Sequence, residues 1–393
     1  MEEDLSNRNF VVLLAVVAVA ALNQGMLLPL LATLLEDEGI SSSLNGLNAA
    51  SLYLGILAVT PLCGPMVRRF GYRRVMVAGL MVTIFSLFSF PVWKGFSSWF
   101  LLRFLVGVGD CALQYAAQLW ITSDSPRHLR GRRISLYGLA FGIGFGIGPL
   151  GINLLAWGDA VPFWVMGFLL CGVFFGVNRL KEAKPVILPG KERGRRKVPR
   201  IYRWAFVALC PAFVYGFLEA SLSGSFPIYG LREGLDTAWV SVLISAFLYG
   251  SLLFQVPLGV LSDRWGRRLV LGGTCLFGAV GMASIPAVMG NAVLLLVLFT
   301  LIGGLLGSLY SLGLAYMADL LPQEYLPEAN ALANVHFAVG CMTGPYAGGL
   351  LIQSVGGGGL FYLISATLFT FVLLTVFQRK PAVRETSSHT ESV

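Results

Sequence analysis

The sequence predicts an all-α membrane protein with 12 transmembrane helices, arranged as two six-helix bundles related by a pseudo-two-fold axis. The first observation is composition: 56% of the 393 residues are hydrophobic and 12% are charged, whereas soluble domains carry about 25% charged residues. The second is a series of 12 apolar segments, each with roughly the 20 residues that a membrane span needs. The third is a basic phrase that recurs half a chain apart.

The apolar segments divide into two groups of six. They cover residues 10–35, 44–66, 75–93, 99–122, 134–156 and 161–178, and then 204–230, 238–260, 269–289, 292–318, 330–354 and 359–377. Residues 179–203, between the groups, hold ten Lys or Arg against Glu182 and Glu192, which is typical of a solvated linker. We therefore predict an N-terminal bundle (1–178), a basic linker (179–203), a C-terminal bundle (204–377) and a tail (378–393).

The basic residues predict the orientation. Lys94 and Arg232 fall on one side of the membrane and Arg103 within a span, which leaves 25 of the 28 Lys and Arg on the side of the linker and both termini. The positive-inside rule places that side in the cytoplasm, as expected for a multi-pass protein of the plasma membrane. The net charge of +8 is then explained by topology, so it does not indicate nucleic-acid binding.

The N-terminal stretch MEEDLSNRN is acidic, and the apolar run after it is long. Both features argue against a cleaved signal peptide, so we expect a first span that is retained.

The recurring phrase is GPMVRRFGYRR (Gly64–Arg74) and GVLSDRWGRR (Gly259–Arg268), with a spacing of 195 residues. Each copy falls between the second and third spans of its own half. Two halves with the same topology, related by an axis along the membrane normal, are a known transporter architecture.

These features resemble the major facilitator superfamily of secondary transporters, over essentially the whole chain. The second copy matches the family signature G-x-L-a-D-R-x-G-R-R at Gly259, Leu261, Asp263, Arg264, Gly266, Arg267 and Arg268. The first copy keeps Gly64, Arg69, Gly71, Arg73 and Arg74, with Arg68 in the acidic position. Arg103 in RFLVGVG is similar to the arginine of the family's fourth span.

Two further stretches resemble the family's glycine–proline motifs. GCMTGPYAGG in span eleven contains Gly344 and Pro345, and GFGIGPLG in span five, one residue short, contains Gly148 and Pro149. We expect these four residues to serve helix packing. The span-five stretch imperfectly resembles the antiporter motif of drug exporters.

The resemblance implies that the repeated phrase is a conformational latch, formed by Gly64, Arg68, Gly71 and Arg73, and by Gly259, Asp263, Arg264, Gly266 and Arg267. Arg68 cannot accept the hydrogen bonds that Asp263 accepts. The latch is therefore expected to depend mainly on Asp263. In the alternative interpretation, all these arginines only anchor the topology.

Charged residues inside spans are costly and mark functional candidates. Arg103 and Asp110 share one helical face with Gly107, Gln114 and Gln118 in span four. This stripe is predicted to face a water-filled cavity, with Arg103 and Asp110 as proton-coupling residues. The alternative is a structural polar network that packs span four against its neighbours.

Glu219 in span seven is the strongest candidate for proton coupling. Tyr215 and Ser223 lie one turn away on either side, and a carboxyl in a low-dielectric site can exchange a proton near physiological pH. The alternative is a permanently protonated structural carboxyl.

Candidates for substrate binding are the polar side chains Asn23, Gln24, Gln114, Gln118, Tyr215 and His336, although a lone histidine is more often a packing residue.

The sequence argues against an enzyme. His128, His336 and His389 are too dispersed for a catalytic or metal cluster, and six scattered cysteines have no metal-ligand spacing. We expect no metal and no cofactor.

The predicted function is a monomeric, proton-coupled secondary transporter that works by alternating access and exports small amphiphilic compounds or metabolites. The partners are then a small-molecule substrate, protons and the lipid bilayer. Import of a small organic nutrient is the alternative, and a non-transporting sensor is a remote one.

Overall fold

The computed structural model describes residues 2–125, 129–183, 198–356 and 358–377. Over these residues the secondary structure is helical, and the α-helices in chain order are α1 Glu2–Asp37, α2 Ser42–Phe70, α3 Tyr72–Ser89, α4 Phe96–Asp124, α5 Arg130–Ile147, α6 Val161–Asn178, α7 Val198–Arg232, α8 Thr237–Trp265, α9 Arg267–Ser284, α10 Ala292–Leu306, α11 Leu309–Leu320, α12 Leu326–Val355 and α13 Gly359–Phe377. Short 3₁₀ helices continue α5 (Gly148–Trp157) and α9 (Ile285–Val288) and precede α12 (Gln323–Tyr325).

Twelve of these helical segments are long and apolar enough to cross a membrane, with α10 and α11 forming one span together. This confirms the predicted fold class. The predicted tail, linker residues 184–197 and the histidines at 128 and 389 lie outside the described residues.

The buried apolar side chains form two clusters. One consists almost entirely of residues from α1 to α6, and the other mainly of residues from α7 to α13. Because successive spans cross in alternate directions, the ends of α6 and α13 lie at the same end of the bundle as the starts of α1 and α7. We call this end the linker side and the opposite end the far side.

Each copy of the recurring phrase forms a corner on the linker side. The chain between spans two and three is a single glycine in each half, Gly71 with φ 89° and Gly266 with φ 93°, and helix resumes at the next residue. Side chains with a Cβ atom disfavour this positive φ, so glycine allows the turn. We call Gly64–Arg74 the first corner and Gly259–Arg268 the second corner; most residues of both are helical.

The two glycine–proline motifs allow close helix approach at pseudo-equivalent places. In α12, a Cβ atom on Gly344 would overlap the Phe217 carbonyl oxygen of α7, and one on Gly349 would overlap the Ser42 carbonyl oxygen of α2. Pro345 is buried, and its carbonyl accepts a hydrogen bond from the Ser225 hydroxyl of α7. Thus α12 packs on one helix of its own half and one of the other half.

The span-five motif packs in a related way but changes conformation. A Cβ atom on Gly148 would lie 2.7 Å from the backbone of α1, and one on Gly146 would lie 3.0 Å from the Tyr249 ring of α8. At Gly148 and Pro149, both buried, the α-helix becomes 3₁₀, whereas α12 stays α-helical through Gly344 and Pro345.

The halves are in close contact on the far side. The Arg232 guanidinium at the end of α7 binds both carboxylate oxygens of Glu36 at the end of α1, at 2.6 and 3.1 Å. The Asn153 amide donates to the Ser241 hydroxyl of α8 at 3.1 Å. The far side is therefore closed in this conformation.

Candidate functional site

The first half buries an arginine that has no carboxylate partner among the described residues. Arg103 in α4 is fully buried, and its guanidinium donates to Asn48 Oδ1 of α2 at 2.9 Å and to the Leu28 carbonyl of α1 at 3.4 Å. Its Nε is buried without a hydrogen-bond partner in the described part of the chain. Arg103 thus connects α4 to α1 and α2 by hydrogen bonds to neutral groups.

Asp110, two turns further along α4, contacts other helices. Its Oδ1 accepts a hydrogen bond from the Thr83 hydroxyl of α3 at 3.2 Å, whereas its Oδ2 is buried without a partner. The Asn23 amide of α1 lies beside the carboxyl, fully buried, and both of its polar atoms lack hydrogen-bond partners. Asp110 therefore occupies a buried site in which, among the described residues, Thr83 is the hydrogen-bond donor and no cation pairs with the carboxyl.

The polar residues of span four fall into a buried group and a more exposed group in this structure. Arg103 and Asp110 are buried inside the first half, as in the alternative of a structural network. Gln114 is half-buried and donates to Gln24 of α1 at 3.2 Å, and Gln118 is exposed. Only the linker-side end of the stripe is therefore open.

Glu219 lies in the most enclosed helix of the molecule. Every residue of α7 from Gly216 to Gly230 is buried, and small residues such as Ala220 and Gly224 allow the neighbouring helices to approach closely. Glu219 itself is 8% exposed. The Tyr215 side chain, one turn earlier, reaches its carboxyl.

Two residues that the sequence analysis missed also face Glu219. Tyr53 of α2 and Cys341 of α12 are both buried, and both interact with the carboxyl and with each other. No sequence signal marks them, because they are neutral residues of apolar spans. Glu219 is thus a carboxyl at the boundary between the halves, and the neutral groups Tyr215, Tyr53 and Cys341 lie within electrostatic range of it.

His336 lies closer to the linker side on α12. Its Nδ1 is 2.8 Å from the Leu332 carbonyl oxygen, which only accepts, so Nδ1 carries a hydrogen. Its Nε2 is 3.4 Å from the Tyr202 hydroxyl of α7. Both ring nitrogens of His336 therefore have partners within the second half.

An aromatic surface lies next to Glu219 and His336. Phe337 of α12 stacks on Tyr215, with ring centroids 6.0 Å apart, and meets the Tyr310 ring edge-on at 5.6 Å. The Tyr310 hydroxyl donates to Asn334 Oδ1 at 2.6 Å, and Asn334 is exposed. This surface combines aromatic rings with a neutral amide.

The carboxylate that pairs with the arginines of the first corner comes from the linker. The Glu182 carboxylate, four residues after α6, accepts from the Arg73 backbone N–H at 3.0 Å and pairs with the Arg73 and Arg74 guanidinium groups at 3.6 and 3.8 Å. Arg73 also donates to the Leu180 carbonyl. Arg68 is exposed. Because Gly64 has no Cβ atom, it leaves space for the Arg68 guanidinium and the Tyr115 hydroxyl.

The second corner contains its own acid. Arg267 pairs with Asp263 one turn earlier and with Asp319 of α11 at 3.2 Å. Arg268 donates to the Thr375 and Val376 carbonyls at the end of α13. Arg264 and Gly266 are exposed, and a Cβ atom on Gly259 would meet open space. These bonds lie within the second half, so a latch between the halves stays a prediction.

Comparison with known proteins decides the family. The sequence profile of the Major Facilitator Superfamily matches residues 13–244 and 212–392, which together cover almost the whole chain. The chain belongs to the Major Facilitator Superfamily. It is therefore a multi-pass membrane transporter and not an enzyme.

The relatives and solved structures agree with this assignment. The superfamily member YfkF of Bacillus subtilis (strain 168), an uncharacterized MFS-type transporter, is 38% identical over 381 residues, which cover 95% of this chain and 96% of YfkF. A mutant of the nucleoside transporter NupG has a TM-score of 0.79 at 12% identity, covering 94% of this chain and 100% of that chain. A bacterial homologue of the human lysosomal transporter Spinster, in an inward-facing and unoccupied conformation, has a TM-score of 0.71 at 13% identity, covering 95% of each chain. At these identities the two structures show the same fold.

Proposed function

We propose that this transporter is a monomeric, proton-coupled exporter of small amphiphilic compounds or metabolites, with Glu219 as the group that gains and loses the proton. The observation that carries the proposal is the position of Glu219. It is a buried carboxyl at the boundary between the halves, within electrostatic range of Tyr53 in the first half and Cys341 in the second. Because a buried carboxylate without a cation is costly, its protonation state depends on how the helices around it are arranged.

The neutral lining supports an amphiphilic substrate. Gln24, Gln114, Gln118 and Asn334 supply amides, and Phe337 with its neighbours supplies aromatic surface. Arg103 and Asp110, the other charged candidates, are buried behind this lining. A substrate with one apolar face and a few hydrogen-bonding groups fits these side chains better than a strongly charged one does.

Asp110 is the second candidate for carrying a proton, since its carboxyl is buried and its Oδ2 has no hydrogen-bond partner among the described residues. Arg103 has a supporting role in the proposal, because it positions α1 and α2 against α4 through Leu28 and Asn48. Asn23 belongs to the Asp110 site, and His336 lines the linker-side approach to Glu219.

The closed far side supports alternating access. With both termini and the linker in the cytoplasm, as the basic residues predict, this conformation is closed to the outside. The exposed amides of Gln118 and Asn334 lie towards the cytoplasm. Loading of an exported substrate from the cytoplasm would begin in this conformation.

Import is the second candidate function. The solved structure of NupG is that of a nucleoside transporter, and an uncharged aromatic and amide lining would also suit a nucleoside. A proton gradient can drive either direction, so the direction of transport has to be measured.

The test uses purified protein in proteoliposomes, a panel of amphiphilic solutes and nucleosides, and a pH gradient imposed in each direction. We expect movement of substrate against the proton flux, and Glu219→Gln is expected to abolish uphill transport while downhill exchange remains. Glu233→Gln, the same change at an exposed site just beyond α7, is the matched control. Full pH-driven transport by Glu219→Gln would refute the role of Glu219, and movement of substrate with the protons would favour import.

A further inference from the structure

The contact between α2 and α12 joins the two halves backbone to backbone. A Cβ atom on Gly349 would overlap the Ser42 carbonyl oxygen, and one on Gly46 would overlap the Pro345 carbonyl oxygen. Towards the middle of the bundle the same contact continues to Tyr53 and Cys341, which are 3% and 0% exposed. Any opening of the far side has to separate these two helices.

The Tyr53 hydroxyl is the neutral group that connects the charged groups of the two halves. It contacts the Cys341 thiol of α12, and it interacts with the Glu219 carboxyl of α7 on one side and the Arg103 guanidinium of α4 on the other. Among the described residues, the titratable groups that interact with Glu219 are Tyr215 from its own helix, Tyr53 from α2 and Cys341 from α12, whose thiol packs against α7 at Gly216. His336, five residues before Cys341, is about 7.5 Å further along the helix axis and is bonded to Tyr202 and Leu332.

We infer that Tyr53 is the positioning residue through which the protonation state of Glu219 controls the separation of α2 from α12. The inference rests on the proposed role of Glu219. A protonated Glu219 is neutral and is compatible with the buried contact to Tyr53 and Cys341. An ionised Glu219 is a buried charge whose partners among the described residues are hydroxyl and thiol groups, and hydration relieves this cost when α2 moves away. Loss of the proton therefore favours opening of the far side.

Cys341 is a natural reporter of this movement. Its thiol is buried, so a thiol reagent should modify it faster when α2 and α12 separate. Cys275, buried in the core of the second half, reports unfolding. Both sites can be followed in the full-length protein by mass spectrometry, without replacing any cysteine. Dividing each rate by that of the detergent-unfolded protein at the same pH removes the effect of thiol ionisation.

We expect the rate of Cys341 modification to rise about fivefold or more between about pH 6 and about pH 8. A fivefold change is at the lower end of the coupling that is typical of linked sites. In Glu219→Gln the rate is expected to be independent of pH. In Tyr53→Phe the pH dependence is expected to shift or flatten, with Cys275 still protected. Tyr249→Phe, which removes a hydroxyl from the α5–α8 contact between the halves, is the matched control and is expected to keep the pH dependence of the native chain.

The outcomes separate the two proposals. If Glu219→Gln is independent of pH but Tyr53→Phe behaves as the native chain, Tyr53 has no part in the coupling and the inference is wrong, while the role of Glu219 stands. If the native chain itself shows no pH dependence at Cys341, the inference is also wrong, and the transport assay decides the proposed function separately.

Discussion

The two corners show where the halves are alike and where they differ. Arg73 and Arg268, 195 residues apart, both donate to backbone carbonyls at the end of the last span of their own half. The acids around them differ, because the second corner contains Asp263 whereas the first receives Glu182 from the linker. The pseudo-symmetry therefore holds for the bonds between an arginine and the backbone and fails for the carboxylates.

Two of the contacts between the halves, α2–α12 and α5–α8, also differ from each other. The α2–α12 contact is backbone to backbone and lies beside Glu219. The α5–α8 contact has the Tyr249 ring between the backbones, and its glycine–proline motif ends in a 3₁₀ helix. The α5–α8 contact therefore has more room to adapt, and under the proposed role of Glu219 the α2–α12 contact is the proton-sensitive one.

The largest expected effect comes from placing the same methyl group in each contact. Gly349→Ala has to push α12 away from the Ser42 carbonyl, whereas in Gly146→Ala the new Cβ meets a tyrosine ring that can rotate. Overpacking costs about 1–3 kcal/mol, so we expect transport to fall about tenfold or more in Gly349→Ala and to change little in Gly146→Ala. Transport rates and thermal unfolding of the two purified variants provide the measurement. Equal losses would show that the two contacts are equally tight.

A middle-sized effect is expected from the corner acids. Asp263→Asn and Glu182→Gln each remove the carboxylate that pairs with a corner arginine, whereas Arg68→Ala removes an exposed side chain outside these pairs. Since both carboxylates are partly exposed, we expect each to contribute about 0.5–1 kcal/mol. The rate of transport should fall about two- to fivefold in both acid variants and less in Arg68→Ala. If Arg68→Ala is as slow as Asp263→Asn, the proposed asymmetry between the corners is wrong.

The smallest effect is expected at the far-side ion pair. Glu36 and Arg232 join the halves but are partly exposed, and such pairs typically contribute about 0.2–1 kcal/mol and are weakened by salt. Glu36→Gln should make Cys341 more reactive by about two- to fivefold at low salt, and less at high salt. Lys94→Gln, which breaks a pair with Asp159 inside the first half, is the control. A larger effect in the control would show that the Glu36–Arg232 pair does not hold the far side closed.

The candidate site could be predicted only in part. Arg103, Asp110 and Glu219 stand out in the sequence because charges are rare inside spans. Their partners do not stand out: Asn48, Thr83 and Tyr53 are neutral residues on other helices, and no spacing along the chain connects them to α4 or α7. The cavity-facing stripe of span four was predicted from helical periodicity, which gives a shared face but not the neighbour that covers it. In the structure its far-side part is buried by α1, α2 and α3.

The corners show the same limit. The glycines at 71 and 266 and the arginines around them predicted a turn on the linker side, but not that the turn would be a single residue. Glu182 was visible only as one acid in a basic linker. Its distance from Arg73 along the chain is 109 residues, so only the packing of α3 against α6 brings the two together.

The sequence by itself determined the class of the protein, the 12 spans and the duplicated halves. These properties depend on hydropathy and on local repeats, which each segment carries independently of the others. The tertiary structure alone decided which half supplies each partner, that the far side is closed, and that Tyr53 and Cys341 come within electrostatic range of Glu219. These properties depend on helix–helix packing in the middle of the bundle, where small differences between glycine and larger side chains set which backbones can touch.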